Sequence, residues 1–475
     1  MGDTSGRVLS GRQKIFTDYE VITSENIIDM LKKTAPIHSK NADEIKYLYD
    51  YYKGVQPVLG RKKEVRSEIC NKIVENHANE IVSFKVGYLM GEPIQYISHG
   101  KDDVSEEINT LNEYVFAEDK LCKDRELADW FHICGTAFRM IVPDKKNELD
   151  ESPFEIYTLN PMGTYVVYWS GLGNKPVAGI TVIEKENKAI VYCVYTPCEY
   201  FEVEDNVIIK HEVHEMGDIP IIEYPANEAR LGAFEPVLSI LDAINTVSSN
   251  RIDGIEQFIQ AILVLKGVDL EDEQYKQLLE QHGLKVPLEG DAKYLVQELN
   301  QTQTQTLVDY MYQTVLIICG MPNRNGGSST SDTGAAVIMR DGWEAAEARA
   351  KSSETIFKKS EKEFLKIALR ISNTFRNLDL KLSQIEIRFT RRNYENISAK
   401  AAVLVSMLSN DKIHPKLAFS HCGMFADPES AYAMSEAYMK EQEERDEKDL
   451  ENYYHLQSES SAKGRDSTNS AEGAD

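Results

Sequence analysis

One glycine- and hydroxyl-rich segment has the residue types of a phosphate-binding loop. Residues 319–338 read CGMPNRNGGSSTSDTGAAVI and lie between two apolar helical patterns. Backbone amides at such a turn bind anions well, but an ATP-binding loop needs the spacing GxxxxGK[ST] after a strand. Here Gly326 and Gly327 are followed by Ser-Ser-Thr-Ser, without a lysine at the required place, and the segment joins helix to helix. The sequence therefore predicts no nucleotide site here.

Histidine and cysteine residues form patterns that could suggest a metal site. In HEVHE, His211 and His214 are three residues apart in a strand-like run, whereas a helical zinc site needs HExxH. On a strand, these two side chains would point to opposite faces. His414, His421 and Cys422 have no second cluster to accompany them. The seven cysteines are dispersed without a CxxC pair, which is typical of reduced thiols in a cytoplasm.

Composition and motifs favour a protein without catalytic chemistry of its own. The sequence contains no GxSxG elbow, and no cysteine stands in a recognisable protease context. A formal net charge of −24 argues against a broad basic surface that grips DNA. No apolar run is long enough to span a bilayer, and the N-terminus lacks an apolar signal core. We expect no catalytic residue, no metal, no cofactor and no membrane partner.

The elements in the first half of the chain predict a mixed α+β body. Helical spacing predicts a helix that starts with Asn41 as N-cap and a second helix over residues 65–90. The first 40 or so residues are weakly patterned, and residues 104–142 are predicted to be largely helical. Short β-rich runs over residues 153–224 then predict an antiparallel sheet of five or six strands.

Two long helices that enclose a small unit are predicted in the second half. An apolar stripe runs along residues 234–263, and a polar stripe with Asp242, Asp253 and Glu256 lies opposite to it. A small unit with strand-like ends follows, and residues 301–319 form the returning helix. The sequence therefore predicts a helical hairpin that projects from the α+β body.

Helices are also predicted to dominate the C-terminal part. A very long helix is expected from about Asp332 to Phe375, followed by a β pattern and two closing helices. The last helix has strong start signals, with Asp427 as N-cap and Pro428 at its first position. After about Tyr454 the composition predicts a disordered tail.

Short motifs follow one another in a definite order along residues 41–445. They are YLYDYYKG (47–54), NKIVEN (71–76), GYLMGEP (87–93), GTAF (135–138), LNPMGTYVVY (159–168), GMPN (320–323), TGAAV (333–337) and ISAKAAVLVSML with MFADPESAYAMSEAYMKE (397–440). Their order and spacing resemble the portal proteins of tailed bacteriophages, in particular the group from siphophages of Gram-positive bacteria.

This resemblance implies a phage portal fold of the α+β class, divided into named parts. The parts are a flexible N-terminal arm (1–35), an α+β wing (36–233), a stem helix (234–263), a small α/β clip (264–300), a second stem helix (301–319), a tunnel loop (320–331), a long kinked helix spanning the wing with a return strand (332–395), an α-helical crown (396–456) and a disordered tail (457–475).

The resemblance also implies a function and a set of partners. Such proteins form a closed ring of about twelve copies, or about thirteen when isolated, at one vertex of the capsid. Double-stranded DNA is packaged and ejected through the central channel of that ring. The implied protein partners are the large terminase, the major capsid protein, scaffolding protein and a head–tail adaptor. The location would be the virion, after assembly in the host cytoplasm.

Two sets of residues become candidates for the DNA channel on this resemblance. The tunnel-loop candidates are Asn323, Arg324, Asn325, Gly326, Gly327, Ser328, Ser329 and Thr330. Their alternative role is a flexible connector between helices. The stem candidates are Asp242, Asp253 and Glu256, which would repel the DNA phosphates if they faced the channel. A stripe that faces solvent or a neighbouring subunit is the alternative for this second set.

Two hypotheses from other classes stay open at this point. A metal-dependent nuclease, or another DNA enzyme, could use the scattered carboxylates. An ATPase-like scaffold with an inactive nucleotide site is the third alternative.

Overall fold

The chain forms two compact units, Met1–Arg391 and Arg392–Asp475. The computed structural model describes residues 6–64, 66–99, 104–144, 152–259, 262–266, 291–295, 301–323, 342–390, 397–425 and 428–466. Within these ranges, no helix is both long enough and apolar enough to cross a membrane.

Long helices precede, interrupt and follow the strands. They are, in chain order, α1 (Ile27–Tyr52), α2 (His77–Leu89), α3 (Ser105–Ala117), α4 (Lys120–Cys134), α5 (Leu238–Ile259), α6 (Gln301–Cys319), α7 (Trp343–Arg376), α8 (Ile397–Leu408), α9 (Pro415–His421) and α10 (Pro428–Asp466). Short 3₁₀ turns lie at Pro57–Gly60, Glu235–Val237 and Leu382–Gln384.

The strands form two larger sheets and two small pairs. They are β1 (Ile15–Thr17), β2 (Gln95–Ser98), β3 (Thr136–Pro143), β4 (Phe154–Leu159), β5 (Thr164–Trp169), β6 (Pro176–Glu184), β7 (Ile190–Tyr195), β8 (Glu199–Glu204), β9 (Val207–Val213), β10 (Ile221–Pro225), β11 (Ile262–Lys266), β12 (Asp291–Leu295) and β13 (Ile385–Arg388). The sheet orders are β1-β5-β6-β7-β8-β9, β10-β3-β4, β11-β12 and β13-β2. The predicted α+β class is confirmed.

The six-stranded sheet is antiparallel except at one edge. Strand β1 pairs with β5 in parallel, and the other neighbours pair antiparallel. Apolar side chains from β1, from α1 and from the sheet form one buried cluster. The predicted five or six antiparallel strands are therefore largely present, but β4 and β10 pair with β3 in the second sheet.

Buried ionic groups join α4, β3 and α7 beneath the second sheet. Glu361 on α7 is fully buried and accepts contacts from Lys120 Nζ at 2.7 Å and Arg139 Nη1 at 3.3 Å. Tyr96 and Tyr224 donate their hydroxyls to the same carboxylate, at 2.6 Å and 2.8 Å. Burial alone would raise the pKa of Glu361, but the two cations lower it. The long helix is thus anchored to the body by paired charges.

The N-terminal residues are packed more closely than the sequence predicts. The guanidinium of Arg12 is 1% exposed and pairs with Glu235 at 2.6 Å, so the described part of residues 1–35 is not a flexible arm. Helix α1 starts at Ile27, and the predicted start at Asn41 is wrong. The side chain of Asn41 instead accepts from Gln13 N at 2.9 Å and donates to Gln13 O at 2.8 Å. This tertiary contact uses the polar group that suggested an N-cap.

The second compact unit contains α8, α9 and α10, one helix more than predicted. Helix α10 starts at Pro428, as expected from the proline at the first helical position. It continues to Asp466, so the prediction of disorder from residue 457 is wrong over 457–466. Extending an existing helix adds one hydrogen bond for each residue fixed, which explains why a polar sequence can continue it. Residues 467–475 lie outside the described residues.

Candidate channel-forming hairpin

Helices α5 and α6 form an antiparallel pair linked by a short two-stranded element. Cys319 Sγ at the end of α6 lies 3.6 Å from Ala233 O, just before α5. Further along, Arg251 Nη1 donates to Gln305 Oε1 at 2.8 Å. Strands β11 and β12 pair antiparallel between the two helices. The predicted helical hairpin is present, whereas the predicted short helix within residues 267–290 lies outside the described residues.

The polar stripe of α5 binds an extended segment of the same subunit. Asn71 N donates to Asp253 Oδ1 at 2.7 Å, Ile73 N to Ser249 Oγ at 2.9 Å, and Glu75 N to Asn245 Oδ1 at 2.7 Å. Four residues of helix rise about 6 Å, and two residues of extended chain span about 6.6 Å. Because these repeats nearly match, alternate amides of the segment meet successive turns of α5.

This ladder explains why the second predicted helix is wrong over its first half. Residues 65–76 carry apolar side chains at helical spacing, but α2 begins only at His77. The backbone donors of Asn71, Ile73 and Glu75 are satisfied by side chains 170 or more positions away in sequence. The side chain of Asn76 accepts from Asn79 N at 3.3 Å and marks the observed helix start.

Asp253 lies at the centre of this contact and is not a channel-facing residue within the subunit. It is 2% exposed, and its Oδ2 pairs with Arg61 at 2.9 Å and Lys63 at 2.8 Å. Burial alone would raise the pKa of Asp253. Hydrogen bonds from Lys63 and Asn71, together with the charge of Arg61, lower it to about 2. The expectation that this carboxylate repels DNA is corrected, because its charge is already neutralised.

The other two stem candidates have different surroundings. Asp242 is half-buried and accepts a hydrogen bond from Tyr51 OH at 2.9 Å. Burial raises the pKa of Asp242, and the bond from Tyr51 opposes that effect. Glu256 is half-buried, one turn beyond Asp253. Asp242 and Glu256 therefore stay predictions for the channel surface.

Apolar side chains on the hairpin are exposed in the isolated subunit. The predicted apolar stripe of α5 is buried at its start, but Ile252 and Ile255 are 38% and 44% exposed. On α6, Leu307, Tyr310 and Ile317 are 49%, 68% and 75% exposed. Their spacing of three and seven residues places them on one face of the helix. Such a surface is typical of a contact with another protein.

The loop after α6 begins on a glycine with a left-handed backbone. Gly320 has φ +64°, and Met321 N donates to Leu316 O at 2.8 Å, which closes the helix end. Asn323, the first tunnel-loop candidate, is the last residue of this loop that the structure describes before residue 342. The tunnel-loop candidates Arg324, Asn325, Gly326, Gly327, Ser328, Ser329 and Thr330 lie outside the described residues, as does the predicted start of the long helix at Asp332.

His211 and His414, two histidines from the metal patterns, have protein partners. His211 on β9 bonds to Glu199 at 2.9 Å and stacks on Phe201 with ring centroids 4.5 Å apart. His414 accepts from Lys416 N at 3.1 Å at the start of α9. Across the described ranges, no group of three or more His, Cys, Asp or Glu side chains could hold a metal ion.

Comparison with protein families gives one match, which extends over most of the chain. Residues 31–449 match the model described as phage portal protein, SPP1 Gp6-like. The chain belongs to this phage portal protein family. It is therefore a portal protein, a ring-forming component of the phage particle located at the capsid vertex. The predicted family is confirmed, and nothing supports the nuclease alternative. Portal proteins are structural components rather than enzymes.

Solved structures that are similar to this chain come from gene transfer agent particles. One is the neck of an empty gene transfer agent particle computed with C6 symmetry, with 10% identity and a TM-score of 0.44 over 73% of this chain and 90% of the other. A second is the virion of a native gene transfer agent particle, with 11% identity and a TM-score of 0.43 over 73% and 89%. A search among curated proteins finds no match.

Proposed function

We propose that this portal chain closes into a ring of about twelve copies and that α5 and α6 form the wall of its DNA channel. In this proposal α5 and α6 are the stem, β11 and β12 belong to the clip, and residues 396–456 are the crown. Double-stranded DNA passes through the ring during packaging and ejection. The terminase docks on the clip, and a head–tail adaptor replaces it later.

The exposed apolar row of the hairpin carries this proposal. A surface with Tyr310 at 68% and Ile317 at 75% exposure is unfavourable in water, and a neighbouring copy would cover it. In a head-to-tail ring, one face of each hairpin contacts the next hairpin, and another face is left to line the channel.

The paired state of Asp253 supports a channel wall with little charge. Its negative charge faces the two positive charges of Arg61 and Lys63, so it does not repel DNA strongly. Glu256 is the carboxylate that we assign to the channel side of α5. A weakly charged wall would let DNA slide without capture.

The tunnel loop is proposed to touch the DNA through Arg324. One arginine in each copy would place a positive collar in an otherwise weakly charged conduit. Arg324→Ala is expected to reduce the DNA packaged per particle while rings still assemble. Arg445→Ala, on the exposed face of α10, removes the same charge elsewhere and is the control. Normal packaging by Arg324→Ala, or loss of its rings, would contradict the assignment.

A further inference from the structure

A small pocket between α2, the end of α6 and the start of α7 is lined by nitrogen groups and, among the described residues, by no carboxylate. Its walls include Lys85, Tyr88, His132, Gly320, Ala346 and Arg349. The enclosed space is about 20 Å³. This is room for one water-sized atom group.

Lys85 enters this pocket without an anionic partner among the described residues. Its side chain is half-buried, and burial together with the charge of Arg349 lowers its pKa. Glu347, on the same helix as Arg349, is engaged by Tyr88 OH at 2.9 Å and by Lys351 at 3.7 Å. A cation shielded from water without a counter-charge is costly.

His132 adds a second unsatisfied group to the same wall. The residue is 6% exposed, and its Nε2 atom is buried without a hydrogen-bond partner in the described structure. Burial, followed by the charge of Lys85, lowers the pKa of His132 to about 3, so the imidazole is neutral. A neutral imidazole can present an N–H donor at Nε2. Lys85 and His132 are thus both able to donate into the pocket.

Gly320 makes room for the third nitrogen group. A Cβ atom at this position would lie 2.4 Å from Cδ of Arg349, so the arginine side chain crosses the glycine. The left-handed backbone of Gly320, with φ +64°, also requires glycine. The GMPN motif therefore ends α6 and positions Arg349 beside the pocket.

Arg349 is exposed beside the pocket and Lys85 is half-buried, whereas two buried arginines have carboxylate partners within the described part of the subunit. Arg12 pairs with Glu235 at 2.6 Å, and Arg230 pairs with Glu223 at 2.6 Å. The chain has 77 acidic and 53 basic residues, so an acid-free cationic pocket is not explained by a shortage of acids. The pocket has the donors for an anion that the described part of the isolated subunit does not supply.

We infer that the Lys85–His132–Arg349 pocket binds a carboxylate side chain from the neighbouring copy of the chain in the ring. This inference rests on the proposed ring. The small enclosed space suits a carboxylate oxygen better than a phosphate with its four oxygens. A head-to-tail ring requires two different complementary surfaces on each copy. The pocket would belong to one surface and an acidic side chain to the other.

Charge-removal variants of Lys85 test this inference in the full-length chain. Lys85→Met keeps the length of the side chain and removes its charge, whereas Lys85→Arg keeps the charge. Lys362→Met, on the exposed face of α7, is the matched control. Mass photometry over a dilution series should show half-assembly of Lys85→Met at a protein concentration at least about tenfold higher than for the wild type. Lys85→Arg should stay within about threefold of the wild type, and Lys362→Met should be unchanged.

Thermal unfolding of dissociated subunits separates an interface role from a structural one. Lys85→Met should melt no lower than the wild type, because it removes an uncompensated charge from the subunit. At constant ionic strength, acetate in place of chloride should raise the melting temperature of wild-type subunits but not of Lys85→Met. This readout tests carboxylate binding by the pocket even if the wild type does not assemble, in which case the ring proposal fails and the neighbouring copy is excluded as the source of the carboxylate.

Three results would overturn the inference. The first is wild-type assembly by Lys85→Met. The second is unchanged assembly with reduced DNA retention, which would assign the pocket to a phosphate of the DNA. The third is an equal acetate effect on both proteins, which would show that the anion binds elsewhere.

Discussion

The contact between α5 and the extended segment before α2 gives the sharpest prediction. Asp253→Ala removes the acceptor of two hydrogen bonds from Asn71 and the partner of Arg61 and Lys63. Hydrogen bonds to a charged group contribute about 1.5–3 kcal/mol each, and breaking a buried pair costs about 3–5 kcal/mol. Because the side chains of Arg61 and Lys63 are 15% and 22% exposed, they can reach water after the change. We therefore expect the contact to lose stability near the lower end of that 3–5 kcal/mol range, by about 3 kcal/mol.

Hydrogen exchange measured by mass spectrometry is the appropriate assay, since the effect should be local. A loss of about 3 kcal/mol corresponds to exchange roughly 150-fold faster at the amides of Asn71 and Ile73. Asp253→Asn keeps an acceptor for the amides but loses the ion pairs, so its exchange should lie between those of Asp253→Ala and the wild type. Glu256→Gln removes the same charge one turn away and is the control. Unchanged exchange in Asp253→Ala, or an equal increase in Glu256→Gln, would refute the reasoning.

The same contact should depend on pH in a definite direction. The pKa of Asp253 falls from its ordinary 3.8 to about 2 in the folded chain. Its stabilising contribution is therefore fully present above about pH 4 and is lost as the pH falls toward about 2. Peptides that cover residues 69–76 should lose protection over that window in the wild type, after correction for intrinsic exchange rates. In Asp253→Ala, the protection of these peptides should change less over the same pH range.

Three further predictions concern the buried charges, the loop start and the hairpin surface. Glu361→Gln leaves Asp124 as the one carboxylate that the described contacts give to Lys120 and Arg139, and it should destabilise the first unit by about 3–5 kcal/mol, measured by calorimetry. Gly320→Ala should lower the free energy of unfolding by about 1–2 kcal/mol because of the left-handed backbone alone. The close contact of the new Cβ atom with Arg349 should lower it further. The double variant Tyr310→Ser/Ile317→Ser should fold normally by circular dichroism but fail to form rings in native mass spectrometry.

Controls decide what each of these results means. Gly54 also has a positive φ, +94°, but a Cβ atom added there would lie 3.5 Å from Asn76 Nδ2, which is an ordinary van der Waals contact. Gly54→Ala therefore measures the backbone cost alone, and an equal loss in both glycine variants would exclude the Arg349 contribution. If the Tyr310/Ile317 variant formed rings at wild-type concentrations, the exposed row of the hairpin would not be part of the contact between subunits.

Local patterns predicted most of the elements but not the contacts that join them. The helical periods of α5 and α6 and the β-rich runs over 153–224 are strong enough to predict these elements from sequence. The start of α2 could not be predicted, because polar side chains of α5 satisfy the amides before it. Strand β1 was also missed, since its three residues gain their pairing only from β5.

The candidate site shows the same limit more clearly. The amphipathic pattern of α5 correctly separates a polar from an apolar stripe, but it does not say what covers each. Asp253 was expected to face a channel and is instead paired within the subunit, whereas Ile252 and Ile255 are exposed. Sequence periodicity identifies faces, and only the tertiary structure assigns partners to them. The loop candidates from Arg324 to Thr330 stay predictions.

The ring itself is the central claim, and native mass with negative-stain imaging tests it most directly. Twelve copies of a 53.9 kDa chain would give a particle of about 650 kDa with a central hole. We predict such rings for the purified chain or for the chain produced together with its scaffolding and capsid proteins. A single species of 53.9 kDa under both conditions, at every concentration, would contradict the account.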